Sequence, residues 1–168
     1  MALFRKAVAT PEPTPIDGVD CLYLDLDGVV YKGPDAIPHA VDSIRGAGVR
    51  SIYLTNNASR TDAEVAEHLS SFGLDVQPND VVTSPQAAMR LLAAHLQPGD
   101  PVLVVGGAGI VVEVEARGWR VVRTAAEQPK AVVQGFHPSV GWTQLAEASF
   151  ALHTGIPWVA TNGDWTIP

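Results

Sequence analysis

The sequence predicts an α/β fold in which short parallel strands alternate with helices. Apolar runs of about four to six residues alternate with segments whose apolar residues recur at helical spacing, and glycine or proline separates most of them. Such an order calls for parallel strands joined by right-handed crossovers. The 168 residues, of which 46% are hydrophobic, suit one domain of ordinary size or one and a half small ones.

Residues 17–83 hold the first predicted unit, after a flexible, proline-rich leader at residues 1–16 that cannot enter a sheet interior. Apolar runs and helical stripes define its elements. These are a buried strand at 21–24, a loop from Tyr31 to Pro38, a helix on Val41, Ile44 and Ala47 that ends at Gly48, a strand at 49–54, a helix with Thr61 and Glu64 as a capping box that ends at Gly73, and a strand at 81–82.

Residues 84–168 hold a second α/β unit, which is not a repeat of the first. Its elements are a helix with Pro85 in the first turn and a stripe of Ala88, Leu91, Leu92 and Leu96, strands at 102–105, 119–122, 131–134 and 158–161, a tight turn at Gly106–Gly109, a helix at 110–116, and a helix at 142–153 with Leu145, Ser149 and Leu152 on one stripe. We expect the tryptophans in the core or between the units; they are Trp119, Trp142, Trp158 and Trp165.

The composition argues against several classes of partner. The net charge is −7 and there is no basic stripe, so we expect no nucleic acid to bind. Met1 to Pro15 holds no apolar stretch of signal-peptide length, and no run in the chain is long enough to span a membrane. Cys21 is the single cysteine, which rules out an intrachain disulfide and favours a cytoplasmic protein.

Two aspartates follow the first strand, in the run Asp25-Leu26-Asp27-Gly28. Ligands of open α/β sheets bind at the carboxyl ends of the strands, and two carboxylates so close together repel each other unless a cation offsets their charge. Mg²⁺ is the simplest such cation, because it selects hard oxygen ligands and recruits a substrate phosphate. The alternative is that both aspartates are helix caps or turn formers, although Asp25 lies within an apolar run where no orphan amides need a cap.

A second polar segment, Thr55-Asn56-Asn57, ends the strand at 49–54. By itself it is weak evidence, because Thr and Asn are common turn residues. If the two strands are neighbours in a parallel sheet, however, both polar ends lie at one edge. The Thr55 hydroxyl and the nearby amides can then bind the same phosphate.

These motifs together resemble the haloacid dehalogenase (HAD) superfamily, in its branch of NagD-like, p-nitrophenyl phosphatase-like and phosphoglycolate phosphatase-like phosphatases. The stretch from Asp25 to Tyr31 is similar to the first motif of that branch, and Leu54 to Asn57 is similar to the second. Ala160 to Asp164 also resembles a segment of the family. The resemblance implies the N-terminal part of a Rossmann-like, parallel-sheet core at residues 17–83 and an inserted α/β cap at residues 84–168.

The same resemblance implies a phosphatase of small phosphorylated metabolites that works through an aspartyl-phosphate intermediate. Asp25 would be the nucleophile, and Asp27 would donate and then accept the proton, which requires a raised pKa. Mg²⁺ would be the cofactor. The resemblance is also compatible with a homo-oligomer that forms through the cap. The implied site residues are Asp25 and Asp27 for catalysis and metal binding, Thr55 and Asn56 for phosphate, and Asn162 and Asp164 at the junction of cap and core.

Two motifs of the family have no counterpart in the sequence. The family lysine, in a Gly-Lys-Pro setting, is not matched by Lys6, Lys32 or Lys130, and no acidic pair completes the Mg²⁺ shell. We therefore expect that the C-terminal half of the core is absent and that an exposed sheet edge stands in its place. The alternatives to a phosphatase are a non-catalytic fragment that binds metal or phosphate or serves in assembly, and another HAD chemistry such as phosphotransfer or dehalogenation.

Overall fold

The computed structural model describes residues 13–164, and nine strands and five α-helices are present within them. The strands are β1 (Cys21–Asp25), β2 (Tyr31–Lys32), β3 (Asp35–Ala36), β4 (Arg50–Thr55), β5 (Val81–Thr83), β6 (Pro101–Val105), β7 (Arg120–Val122), β8 (Ala131–Gln134) and β9 (Trp158–Ala160). The helices are α1 (Ala40–Ala47), α2 (Asp62–Ser71), α3 (Ser84–Leu92), α4 (Ala108–Ala116) and α5 (Trp142–Leu152). Most of the leader predicted at residues 1–16 lies outside the described residues.

The first sheet is parallel, with the strand order β1-β4-β5. Helices α1 and α2 pack on it over an apolar core whose largest fully buried side chains include Leu26, Val30, Val65 and Leu69. Strand β1 has a neighbour on one side only among the described strands. Among the described strands, the sheet therefore has open edges at β1 and at β5.

Residues at the helix ends determine where α1 ends and where α2 begins. Helix α1 ends at Gly48, which adopts the left-handed conformation with φ +62° that glycine tolerates best. At the start of α2 the Glu64 amide donates to Thr61 Oγ1 at 3.2 Å, and the Thr61 amide donates to Glu64 Oε2 at 2.7 Å. The predicted capping box is thus confirmed.

The second sheet is also parallel, with the strand order β7-β6-β8-β9. Successive residues of β6 point to opposite faces: Val102 and Val104 pack with α3 and α4, and Leu103 and Val105 pack under α5. Both faces of the sheet are therefore covered by helices. The two sheets confirm the predicted α/β class.

The loop predicted from Tyr31 to Pro38 is a small hairpin. Strands β2 and β3 pair antiparallel, with Tyr31 opposite Ala36 and Lys32 opposite Asp35. The turn between them contains Gly33, whose φ of +61° suits glycine. The prediction of a loop was wrong because the side chain of Tyr31 is only 3% exposed and its packing in the core holds this short segment in place.

The strand predicted as buried at 21–24 is only partly buried. Tyr23 is 71% exposed, and Asp25 is exposed as well. Successive side chains of a strand point to opposite faces of the sheet, and Tyr23 lies on the face opposite to Leu24, which packs against the core.

Two predicted stripes of the second unit do not match the buried faces. On α5 the buried residues are Ala148 and Ala151, whereas Leu145 is 40% exposed and Ser149 is exposed. On α3, Leu91 is 64% exposed, although the other members of its stripe are buried. Periodicity misleads where a helix carries apolar residues on two faces, because either face can satisfy the pattern.

The tryptophans also differ from expectation. Trp119 is buried in the core of the second unit, as predicted. Trp142 and Trp158 are largely exposed, so their predicted burial is wrong. Trp165 lies outside the described residues.

The two units contact each other closely around residues 58–60. The first helical turn of α4 packs so near this loop that a Cβ on Gly109 would lie 2.9 Å from the Ala58 carbonyl oxygen. Ser59 Oγ donates to the Phe136 carbonyl at 2.8 Å. The tight turn predicted at Gly106–Gly109 is shorter than expected, because Ala108 and Gly109 are the first two residues of α4.

Within residues 13–164, no helix has the length and apolar character that crossing a membrane requires.

Candidate active site

Polar side chains meet at the carboxyl edge of the first sheet. Asp25 lies opposite Leu54 in the parallel register, and Thr55 lies opposite Thr83. The side chains of Thr55 and Thr83 are 6% and 3% exposed, which makes them the buried polar residues of the described chain. The structure therefore brings the ends of β1, β4 and β5 together where α/β sheets bind ligands.

The turn after β1 holds the two aspartates in place. The Leu26 amide donates to Asp25 Oδ1 at 2.9 Å, and the Gly28 amide donates to the Tyr31 carbonyl at 2.8 Å. Gly28 has a φ of +80°, which the sharp reversal of the chain requires. Because Leu26 is fully buried between the aspartates, the turn is anchored while both carboxylates stay near the sheet edge.

Asp27 has an altered proton affinity. Its partial burial raises the pKa of the carboxyl, and the negative charge of Asp25 raises it further. The positive charges of Arg60 and His68 act in the opposite direction and do not cancel the increase. Asp27 therefore holds a proton to higher pH than a free aspartate does, in the direction that the resemblance implied.

Asn56 links this edge to the end of the second unit. Its Nδ2 donates to Asp164 Oδ2 at 2.7 Å, across 108 residues of sequence. The Asp164 amide in turn donates to Asn162 Oδ1 at 2.7 Å, and Ser84 Oγ donates to the Asn56 carbonyl at 2.9 Å. Asn56, Asn162 and Asp164 are thus brought together, beside Ser84 at the start of the second unit and at the C-terminal end of its described residues.

The Thr55 hydroxyl is both buried and oriented. Its Oγ1 accepts a hydrogen bond from the Asn57 amide at 3.1 Å. The side chain of Asn57 is itself fixed, since its Oδ1 accepts from the Ser59 amide at 2.8 Å. An oxygen that accepts from the backbone leaves its own hydrogen available to donate to a ligand.

Two residues near the site were missed in the sequence. Arg60 and His68 both act electrostatically on Asp27. The ring of His68 stands edge-on to that of Tyr31, with centroids 4.9 Å apart. The position of Arg60 just after the polar loop was a usable signal, whereas nothing local in the sequence connects His68 with Asp27.

The donor set at this edge fits a hard cation. Among residues 13–164 there is no cluster of three or more His, Cys, Asp or Glu side chains that could enclose a metal ion. Asp25 and Asp27 offer oxygen ligands only, and Mg²⁺ is usually held by one or two carboxylates together with water and a substrate phosphate. The residues present therefore suit Mg²⁺ and do not suit a structural zinc site.

Comparison with known proteins identifies the family. The family model described as haloacid dehalogenase-like hydrolase matches residues 22–120, which include the carboxyl edge of the first sheet and the first part of the second unit. The chain belongs to this family. The resemblance that its motifs suggested is thus confirmed.

Its relatives in sequence are phosphatases. The chain is 47% identical over 149 residues to D-glycerol 3-phosphate phosphatase of Mycobacterium tuberculosis, an alignment that covers 89% of this chain and 42% of that enzyme. It is 32% identical over 148 residues to acid sugar phosphatase of Staphylococcus aureus, covering 86% of this chain and 56% of that enzyme. The chain therefore spans about half the length of the curated relatives it matches.

Solved structures give the same result for the fold. Glycerol phosphate phosphatase from Mycobacterium tuberculosis, crystallised in complex with magnesium, superposes with a TM-score of 0.84 at 47% identity, over 89% of this chain and 45% of that one. The p-nitrophenyl phosphatase from Archaeoglobus fulgidus superposes with a TM-score of 0.74 at 27% identity, over 86% of this chain and 55% of that one.

Proposed function

We propose that this chain forms part of a Mg²⁺-dependent phosphatase that hydrolyses small phosphorylated metabolites through an aspartyl-phosphate intermediate. The proposal rests chiefly on one observation: Asp25, Asp27 and the buried Thr55 share the carboxyl edge of a parallel sheet in a hydrolase family. The phosphatase activity of the 47% identical relative supports it.

Asp25 is the proposed nucleophile. Its carboxylate is exposed at the end of β1, so a substrate can reach it, and the Leu26 amide holds one of its oxygens. Attack of the other oxygen on phosphorus forms the aspartyl-phosphate and breaks the ester bond. Thr55 and Asn56 at the end of β4 are the proposed donors to the phosphate oxygens.

Asp27 is the proposed general acid and base. In its protonated form it gives its proton to the leaving oxygen of the substrate. The resulting carboxylate then takes a proton from the water that attacks the aspartyl-phosphate, which releases orthophosphate and restores Asp25. The raised pKa of Asp27 favours the first step, because it keeps the carboxyl protonated at a higher pH.

Mg²⁺ is the proposed cofactor. The Asp25 carboxylate and the Asp27 backbone carbonyl would hold it, and when bound it neutralises charge between the carboxylates and the incoming phosphate. The magnesium complex of the glycerol phosphate phosphatase relative supports this choice.

We further propose that residues 17–83 form the first part of the catalytic core and that residues 84–168 form the cap. The tight contact between the two units and the bond from Asn56 to Asp164 support a second unit that closes over the site. A cap excludes water and selects the leaving group. The relatives point to phosphorylated polyols or sugars as substrates, with glycerol phosphate the first compound to test.

The direct test is phosphatase activity of the 168-residue chain with Mg²⁺, on p-nitrophenyl phosphate and on D-glycerol 3-phosphate. We expect Asp25→Asn to lower turnover by at least roughly a thousandfold, since it removes the nucleophile. The matched control is Asp20→Asn, which changes an exposed aspartate at the opposite end of β1. Retention of activity in Asp25→Asn overturns the nucleophile assignment.

A second candidate function is a non-catalytic module that binds metal or phosphate. It is favoured by two family motifs that have no counterpart in the sequence, the lysine in a Gly-Lys-Pro setting and the acidic pair. Turnover by the wild-type chain above that of Asp25→Asn excludes it. Equal background rates, together with calorimetric binding of orthophosphate that Asp25→Asn alters, support it instead.

A further inference from the structure

The second sheet has a point at which the direction of its crossovers reverses. Its strand order is β7-β6-β8-β9, so the chain leaves β6 toward β7 on one side and leaves β8 toward β9 on the other. The helices of these two crossovers pack on opposite faces, α4 with Val102 and Val104 and α5 over Leu103 and Val105. Open α/β sheets bind ligands in the crevice outside the carboxyl ends of two such strands. A ligand of the second unit is therefore expected where β6 and β8 end.

A cavity of about 560 Å³ lies at these strand ends, and we call it the switch-point cavity. Its walls include Gly106 directly after β6, Arg123 directly after β7, Ser139 in the loop after β8, and Thr143 and Glu147 of α5. Small-molecule sites usually have volumes of about 300–1,000 Å³. None of the wall residues belongs to the carboxyl edge of the first sheet, so the cavity is a separate feature of the second unit.

The Arg123 guanidinium is held in place but is not neutralised. Its Nη1 donates to the Val104 carbonyl at 2.9 Å. The neighbouring Glu127 carboxylate accepts from the amide and hydroxyl of Thr124 and pairs with Arg120 at 3.8 Å. Within residues 13–164, Arg123 takes part in no ion pair. Its other donors are therefore available to a carboxylate in the cavity, whose geometry a planar guanidinium matches.

Glu147 brings the opposite charge to the same cavity. It is half-buried, and its Oε2 accepts a hydrogen bond from the Ala125 amide at 2.7 Å. Its Oε1 accepts no hydrogen bond from another described residue, and the carboxylate forms no ion pair with Arg123. The hydroxyl of Thr143 lies one turn earlier on the same side of α5. Two opposite charges that line one cavity without pairing suit a ligand that carries both signs.

We propose that the switch-point cavity binds a free α-amino acid with a short polar side chain, with the carboxylate on Arg123 and the ammonium group on Glu147. Such a ligand is a zwitterion, so it brings no net charge to a chain whose own net charge is −7. A ligand with an anionic group and no cation would place a second negative charge near Glu147. The polar side chain has the Thr143 hydroxyl as its partner.

The test is an NMR titration of the 168-residue chain with L-serine, followed through the backbone amide signals. We expect saturable shifts of the amides that line the cavity, with a Kd below about 1 mM. L-glycerate, which has a hydroxyl in place of the amino group, and ethanolamine, which lacks the carboxylate, are the matched probes. Each should bind at least about tenfold more weakly than L-serine, because each leaves one charge of the cavity without its partner.

Two variants assign the charges of the ligand to their partners. Arg123→Gln should weaken the binding of L-serine and of L-glycerate, each by at least about tenfold. Glu147→Gln should instead remove the preference for L-serine over L-glycerate. The matched controls are Arg90→Gln on α3 and Glu115→Gln on α4, which change exposed residues outside the cavity and should bind L-serine like the wild type. Amide signals that are unchanged away from the cavity show that each variant is folded.

The wild type alone can overturn the proposal, whatever the variants do. Absence of saturable shifts with L-serine up to about 10 mM does so, and so does equal affinity for L-serine and L-glycerate. Shifts confined to residues 25–27 and 55–57 also overturn it, because they would place the ligand at the first sheet. Asp25→Asn should bind L-serine like the wild type, so a failure of the phosphatase proposal leaves this result unchanged.

Discussion

Asp25 and Asp27 are two residues apart, yet their surroundings differ. Asp25 is exposed at the end of β1, where the Leu26 amide donates to it. Asp27 is partly buried, and its pKa is raised by that burial and by the charge of Asp25. Two carboxyls in unlike environments can divide the roles of nucleophile and proton carrier between them.

The raised pKa of Asp27 predicts a stability that depends on pH. A carboxyl whose pKa is higher in the folded state binds more protons folded than unfolded, so the free energy of unfolding falls as the pH rises through the folded pKa. We therefore expect Asp27→Asn to be more stable than the wild type at pH 7 in metal-free buffer. The difference should vanish below the pKa of an unfolded aspartate, about 3.9, where both states are protonated.

Urea unfolding of both proteins across this pH range measures the effect. Asp20→Asn controls for the loss of one negative charge at an exposed site on the same unit. A wild type that is as stable as Asp27→Asn at pH 7 contradicts the expected cost of ionising Asp27 in the folded state.

The candidate site could be predicted in part from single residues. Asp25, Asp27, Thr55 and Asn56 follow two apolar runs, and parallel pairing puts both strand ends at one edge. Their catalytic roles stay predictions. His68 could not be found this way, because it meets the site only through the packing of α2 against the β2–β3 hairpin.

At the scale of single elements, α5 shows what a sequence pattern leaves open. Large apolar residues lie on its outward side, while Ala148 and Ala151 face the sheet. The small alanines allow the helix to lie close to Leu103 and Val132 of the strands below. A prediction from side-chain size alone therefore picks the wrong face of α5, because the face that packs closely on the sheet carries small side chains.

Helix α2, by contrast, was predicted from local signals, and the contribution of its capping box to stability can be tested by mutation. Thr61→Ala removes the side-chain acceptor of the Glu64 amide and should lower the free energy of unfolding by about 1 kcal/mol. Thr143→Ala, in the exposed first turn of α5, should change it by less than about 0.5 kcal/mol. Chemical denaturation of the two variants gives both values.

The loss of stability in Thr61→Ala should also depend on pH. Hydrogen bonds from the Thr61 amide and hydroxyl lower the pKa of Glu64. The stability that this carboxylate provides is present above its unfolded pKa and is lost as the pH falls through the folded value. The gap between wild type and Thr61→Ala should therefore narrow in acid, and a gap that widens there argues against the capping box as its cause.

At the scale of the whole molecule, Gly109 allows the two units to lie close together, because it has no side chain at their contact. Helix α4 approaches residues 58–60 so closely that a Cβ on Gly109 would collide with the Arg60 carbonyl oxygen and lie 2.9 Å from that of Ala58. Both atoms are backbone and cannot turn aside. This contact depends on the packing of two units and is not encoded in any local pattern, which is why the sequence placed the glycines only in a turn.

Gly109→Ala tests the contact. Overpacking should lower the free energy of unfolding by about 1–3 kcal/mol, although alanine is the better helix former. Gly46→Ala is the matched control, since Gly46 also lies in a helix but has no atom within 4 Å of an added Cβ. It should raise stability by up to about 1 kcal/mol, as measured by urea denaturation. Similar effects of the two substitutions would mean that the units are not held at this distance.

The order of strands along the chain has a consequence for biosynthesis. Among the described residues, the strands of the first sheet come from residues 21–83 and those of the second from residues 101–160, so neither sheet takes a strand from the range of the other. Proteins emerge from the ribosome N-terminus first, and units with short-range pairings assemble soonest. The edge that carries Asp25 and Thr55 can consequently form during translation, while the residues that come to lie against it are still being added.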